Sequence, residues 1–422
     1  MDTLNDEKYQ VYGYRWVVLA VYGLSTAVIQ LMWTTYFSIT TDAWQYYGFA
    51  DKISGESAIS FLSIVFMIGM ITLSIPSLAA FERFGFKKSV GFGVILMGVS
   101  GLFRGLFGDS YTMAMIATVG FAIAQPFILN SPGLVAGKWF PESERATANS
   151  IGLLSSYIGM CIGLLLTPVI IEEGMSIKEM LLLYGVIGAV VALLFVIFVK
   201  EKPKNPPCPE DQAFRSDFTE GLKGAWKKKN FRYSLMIFFC MFGIFNTFFT
   251  LIEPILKQLS QNSIDATQVG MIGVLILGVA IIGSFVTCLI SDKDKLHRRK
   301  PYMVIGNITG AIGLATFIFA EDFHGMVAAA ALYGFFIVGG APLVLTFAAE
   351  SAYPTSEGTS EGLLMFSGNV AGVIFLGGAA LFHGNHSLLM ISMVIITVIY
   401  IVLIFLSKET KLEIQAMKEV KS

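Results

Sequence analysis

Twelve apolar stretches, each near the roughly 20 residues that a helix needs to cross a bilayer, constrain this chain more than any other feature. They run at about 15–39, 58–81, 88–107, 111–137, 147–171, 177–199, 233–257, 268–290, 301–320, 324–349, 361–382 and 387–407. A transmembrane barrel strand is only about 9–11 residues long, so the lengths specify helices. The Gly and Pro residues inside these stretches fit that reading, because neighbouring helices in lipid re-satisfy the backbone groups they free. Charged residues make up 14% of the chain. A soluble domain carries about 25%, so there are too few charges here to coat a water-facing surface. The net charge of −1 gives no reason to expect nucleic acid as a partner. The first stretch begins at Tyr14 behind an acidic leader with Asp2, Asp6 and Glu7, unlike the basic leader of a signal peptide, and is expected to be a retained span.

The second half of the chain repeats the first. Ala124 to Gly159 and Gly340 to Gly372 share one plan, in which an apolar run is broken by proline, a charged patch follows, and a second run is rich in Gly and Ser. Phe140-Pro141 matches Tyr353-Pro354, Glu144 matches Glu357, and Gly159 matches Gly372, all 213 residues apart. A membrane chain built from two similar halves points to a transporter, since internal repeats are how many transporter folds are made.

Basic residues set the expected orientation. With both termini cytoplasmic, all but four of the 29 Lys and Arg fall on the inner side; the exceptions are Lys52, Lys178 and Lys257 outside and Arg104 within a span. Three parts follow: a six-helix bundle over 1–199, a cytoplasmic linker over 200–231, and a second bundle with its tail over 232–422. Pro203, Pro206, Pro207 and Pro209 keep the start of the linker extended. Further on, Phe218, Leu222 and Trp226 recur four apart beside Lys223 and Lys227, the pattern of a helix lying on the inner membrane surface. Arg104 is near the outer end of the third span, where its long stem is expected to snorkel to the headgroups.

Six spans, a linker, six more spans and an internal repeat resemble the major facilitator superfamily: an all-α membrane fold of two pseudo-symmetric six-helix bundles. The run Glu82-Arg83-Phe84-Gly85-Phe86-Lys87-Lys88 resembles that superfamily's acidic-basic-Gly-basic loop between spans two and three, with Glu82 where Asp is usual and without the leading Gly. Asp292 to Lys300 is its counterpart in the second half. The resemblance implies a conformational gating role for Glu82, Arg83, Lys87, Arg145 and Asp292 through salt bridges on the inner side. A narrower resemblance rests on Gln30-Leu31-Met32-Trp33-Thr34-Thr35-Tyr36, on Ala124-Gln125-Pro126-Phe127, on Tyr333-Gly334-Phe335-Phe336, and on Tyr353 to Leu364. These segments are similar to the feline leukaemia virus subgroup C receptor-type transporters, solute carrier family 49. That family moves choline, ethanolamine, haem or pyridoxine-like solutes, so the resemblance implies transport by alternating access and leaves the solute open.

Polar side chains at mid-membrane must face a cavity or each other. In the resembled superfamily, spans one, four, seven and ten line the central cavity. Trp33 and Gln125 match a Trp and a Gln that hold the ammonium end of choline-like substrates; a Trp face attracts such a group by cation–π interaction. Gln30 lies one turn before Trp33. Asn246 stands where the family has a cage Tyr, and Glu253, seven residues on, is expected on the same helical face. Glu253 then serves as a cation or proton site, or pairs with Lys257 at i+4. Asn369 stands where the family has a site-lining Gln, and Tyr157 lies in the matching region of span five. Packing offers an alternative for each, since side-chain amides also bind helices to one another in lipid.

Several further classes have little support. Cys161, Cys240 and Cys288 sit in apolar runs and Cys208 in the linker, with no metal-ligand spacing. His324, His383 and His386 fall in outer loops or span ends, where the pair at i, i+3 is the one candidate for haem or metal. No nucleophile–base constellation marks an enzyme, and no cofactor is expected. The resulting expectation is a monomeric symporter or uniporter in the cell membrane. Its favoured substrate is a choline- or ethanolamine-like organic cation, with haem, a pyridoxine-like vitamin, or a non-transporting receptor role as alternatives.

Overall fold

The computed structural model describes residues 10–205, 224–294, 298–353, 355 and 357–409. Two compact units divide the chain, Met1–Arg215 and Ser216–Ser422. Among the described residues, twelve helical stretches are long and apolar enough to cross a membrane, as the hydropathy pattern requires.

In the first unit the helices are α1 (Arg15–Thr34), α2 (Thr40–Tyr46), α3 (Lys52–Phe84), α4 (Phe86–Phe107), α5 (Tyr111–Leu129), α6 (Pro132–Trp139), α7 (Glu142–Glu172) and α8 (Ile177–Phe198). In the second they are α9 (Lys229–Thr250), α10 (Ile252–Leu259), α11 (Ala266–Asp292), α12 (Lys300–Phe319), α13 (Phe323–Tyr333), α14 (Ala341–Ala352), α15 (Glu357–Ala379) and α16 (His386–Leu406). A π-helical turn, Gly334–Val338, joins α13 to α14. Helix pairing repeats between the units: α1 packs on α7 as α9 packs on α15, and α4 packs on α8 as α12 packs on α16. Lipid supplies no hydrophobic drive between helices, so small residues that permit close contact hold such pairs together. Gly159 shows the device, since a Cβ there would overlap the Ala27 carbonyl of α1.

Besides the π-helical turn inside the stretch expected at 324–349, two expected spans are broken. The stretch expected at 111–137 splits into α5 and α6 at Asn130 and Ser131, with Pro132 opening α6 at the first helical position, where a missing N–H costs nothing. The stretch expected at 233–257 ends at Thr250, and Leu251 leaves helical geometry at φ −105°, ψ 20°. Pro254 accounts for the break: it has no N–H to give the Thr250 carbonyl four residues back, and its ring would crowd that carbonyl. The expectation that Glu253 shares a helical face with Asn246 is therefore corrected, because the two lie on different helices, α10 and α9.

The proposed amphipathic linker helix lies largely outside the described residues, which include Trp226 and Lys227 but not Phe218, Leu222 or Lys223.

Candidate functional site: buried aromatic and amide groups in the N-terminal unit

Trp33 occupies the last turn of α1 and is 9% exposed. Its ring meets Phe37 edge to face, with centroids 5.2 Å apart. Gln30, one turn earlier on α1, is 8% exposed, and Gln125 of α5 is 7% exposed. The indole Nε1 of Trp33 and the amide oxygens of Gln30 and Gln125 are buried without a hydrogen-bond partner.

The end of α1 is held from three sides. Helix ends leave their last carbonyls unpaired, and buried ones must find donors. The Thr34 hydroxyl donates to Gln30 O at 3.0 Å, and the Thr35 hydroxyl donates to Leu31 O at 2.9 Å. Arg104 of α4 supplies the third donor. Its Nη1 donates to Met32 O at 3.3 Å and its Nη2 to the Thr35 hydroxyl at 3.2 Å, while its guanidinium lies 4.8 Å from the Phe121 ring centre and 5.8 Å from that of Tyr36. Arg104 is only 1% exposed, so the expected snorkelling does not occur. The physical reason is that a helix C-terminus attracts a cation and two aromatic faces receive the guanidinium.

The other expected residues are arranged differently. Tyr157 of α7 stays 37% exposed and is not buried with Trp33 and the two glutamines. In the second unit, Asn246 and Asn369 each turn Nδ2 back to their own helix, donating to Phe242 O at 2.9 Å and to Met365 O at 2.8 Å. Glu253, fully buried at the start of α10, forms an ion pair with Lys257 at 2.8 Å. Among the described residues no three His, Cys, Asp or Glu gather as a metal site, and His386 is buried, its backbone N–H donating to Gln258 Oε1 at 3.0 Å.

Glu82 and Arg83 at the end of α3 are exposed and form no ion pair among the described residues; Arg83 rests on the neighbouring Phe84 ring at 5.2 Å. Arg145 donates to Phe140 O at 3.4 Å. The carboxylate that organises this end of the N-terminal unit was missed in the sequence: Glu201, three residues beyond α8. It accepts from the backbone N–H of Phe86 at 3.0 Å and of Lys87 at 2.6 Å, capping α4, and also pairs with Lys138. Burial pushes the Glu201 carboxyl up, but the Lys138 ammonium and the two backbone donors outweigh it and hold the group below the usual glutamate range. Glu409, three residues beyond α16, accepts in the same way from the backbone N–H of Arg299 at 2.7 Å and of Lys300 at 3.2 Å. Arg299 itself pairs with Asp292 and with Glu350, the latter at 3.1 Å, and Arg15 pairs with Glu144 at 3.0 Å. The capped positions Phe86-Lys87 and Arg299-Lys300 are 213 residues apart, the offset of the repeat, but the acids Glu201 and Glu409 are 208 apart, so the repeat marked the helix starts and not the acids that cap them.

Two units of six spans with the same helix pairing, each capped by an acid after its last span, define a polytopic α-helical transporter rather than an enzyme. Residues 16–376 match the family model of the Major Facilitator Superfamily, with a second match over 250–420. The chain belongs to the Major Facilitator Superfamily and is a secondary transporter. It is 27% identical to an uncharacterized MFS-type transporter of Caenorhabditis elegans, over 86% of this chain and 64% of that protein. It is 28% identical to the choline/ethanolamine transporter FLVCR2 of Rattus norvegicus, over 86% of this chain and 68% of that protein. The chain thus spans about two thirds of the length of these curated relatives. A solved structure of a bacterial homolog of the human lysosomal transporter Spinster superposes with a TM-score of 0.74 at 16% identity, covering 96% of this chain and 99% of that one, which supports the fold.

Proposed function

We propose that this transporter moves a small organic amine of the choline or ethanolamine class by alternating access in the cell membrane, with both termini cytoplasmic. The observation that carries the proposal is the set of unpartnered polar groups around Trp33, Gln30 and Gln125 in a chain whose relative FLVCR2 is named a choline/ethanolamine transporter. An ammonium group is attracted to the Trp33 ring face by about 1–2 kcal/mol once both are out of water. The two glutamine amide oxygens add acceptors that no donor among the described residues occupies. Glu253 is left out of this site because Lys257 already offsets its charge. The gating role is assigned to the inner ends of the spans; of the residues expected there, Asp292 pairs with Arg299 within its unit, beside the Arg15–Glu144, Lys138–Glu201 and Arg299–Glu350 pairs.

Binding to the reconstituted full chain tests the reading. Trp33→Ala should weaken the best amine ligand by roughly 5- to 30-fold, with Trp33→Phe between it and the parent. A Trp33→Ala protein that keeps its melting temperature and binds that amine undiminished would remove the amine reading in favour of a larger, uncharged or anionic solute.

A further inference from the structure

Between α13 and α14 the chain winds one residue too loosely for an α-helix. The Gly339 N–H donates to Gly334 O, five residues back rather than four, at 2.8 Å. A turn of this kind holds one residue more than the α turn it replaces. Pro342, at the start of α14, has no N–H for the Val338 carbonyl, so one bond that would splice α14 to the turn is missing. The upstream side is held by bare backbone contact. A Cβ at Gly313 of α12 would overlap Tyr333 N, and one at Gly283 of α11 would overlap Phe335 O.

Two buried hydroxyls flank this segment without a hydrogen-bond partner among the described residues: Tyr333 Oη, immediately before the turn, and Ser351 Oγ, near the end of α14. Tyr333 is 0% exposed and Ser351 7%. Other hydroxyls of the same unit find acceptors, Thr346 donating to Pro342 O at 3.0 Å and Tyr400 to Asn307 Oδ1 at 2.9 Å. An unpaired buried hydroxyl disfavours the arrangement that leaves it so, and both of these lie on the span with the loose turn. One tie at the inner end works the other way, since Glu350 of α14 pairs with Arg299 at 3.1 Å.

We propose that the π turn is a one-residue register switch in the tenth span. Taking the extra residue into an α turn rotates α14 about its own axis by one residue's step, about 100°. With side chains reaching about 5–6 Å from the axis, the Glu350 carboxylate moves about 8 Å and leaves Arg299, which keeps Asp292. Ser351 turns out of the position in which its hydroxyl is unpaired. The motion is internal to the second unit. It is therefore distinct from rigid rocking of one half against the other, which leaves the Arg299–Glu350 pair intact.

The test is a pair of distances measured by double electron–electron resonance on the full chain in lipid nanodiscs, its four native cysteines replaced. One spin-labelled cysteine replaces Tyr353 at the end of α14, where the side chain is 63% exposed. The other replaces Lys293, after α11, or Lys408, after α16, both exposed, so that a shift tangential to one reference is seen from the other. The chain should show two distances for at least one pair, about 5–8 Å apart. Glu350→Gln, which removes the tie, should raise the share of the second distance roughly two- to fivefold. Deleting Phe336 removes the extra residue while leaving α13 and α14 on their present faces, and should collapse the signal to the first distance. A single distance for both pairs, in the parent and in Glu350→Gln alike, makes the π turn a fixed packing feature and overturns the proposal, whether or not the deletion protein folds. Two distances that persist in a folded deletion protein overturn it as well, because the motion then does not use the turn.

Discussion

Arg104 shows how far one side chain can depart from its place in the sequence. By position it belongs to the class of span-end arginines that reach for headgroups, yet its guanidinium is buried on Met32, Thr35 and two rings. It is a flat plate with donors on its edge and a face for aromatic contact, and lysine reproduces only the charge. Arg104→Met should leave the Met32 carbonyl without its side-chain donor and lower stability by about 2 kcal/mol, read as a fall in melting temperature, with Arg104→Lys recovering part of it. Because Trp33 lies between Met32 and Thr35, its fluorescence should shift in the same variant. Melting and emission both unchanged would show that the guanidinium does not hold the end of α1.

At the scale of elements, the starts of α4 and α12 are each closed by an acid from beyond the last span of their own unit. An anion at a helix N-terminus accepts otherwise unpaired N–H groups and meets the positive end of the dipole. The Glu201 carboxyl is held below the ordinary glutamate range, so its contribution is complete above about pH 4.3 and is lost as pH falls through the lower folded value. Its side chain is 38% exposed, which limits the contribution to about 1 kcal/mol. Glu201→Gln should therefore cost about that much at pH 7, and amide exchange at Phe86 and Lys87 should quicken. Exchange protection equal to the parent's at both amides would rule out the cap.

For the whole molecule, the distribution of Lys and Arg predicts which side of the membrane each loop meets. In a background without the four native cysteines, a cysteine at Lys228 should react in sealed cells only with membrane-permeant reagents. One at Lys52 should react with impermeant reagents as well. The opposite pattern would invert the topology and place both termini outside.

The number of spans, the halving of the chain and the position of Trp33 on the first span were legible in the sequence, because lipid demands long apolar helices and a repeat preserves its spacing. Helix continuity was less so. Pro254 announced a break in the stretch after Asn246, but hydropathy runs on through Leu251 and hides it. The choice between a cation site and an i, i+4 pair for Glu253 was open until the structure brought Lys257 to 2.8 Å. The partners of Arg104 and the reach of Glu201 to α4 were decided only by the tertiary structure. Each depends on residues far apart in the chain, 72 positions for Arg104 and Met32 and 115 for Glu201 and Phe86. Composition and periodicity are local quantities: they determine which segments enter the bilayer, whereas the pairing of one buried polar group with another is determined by which helix faces meet.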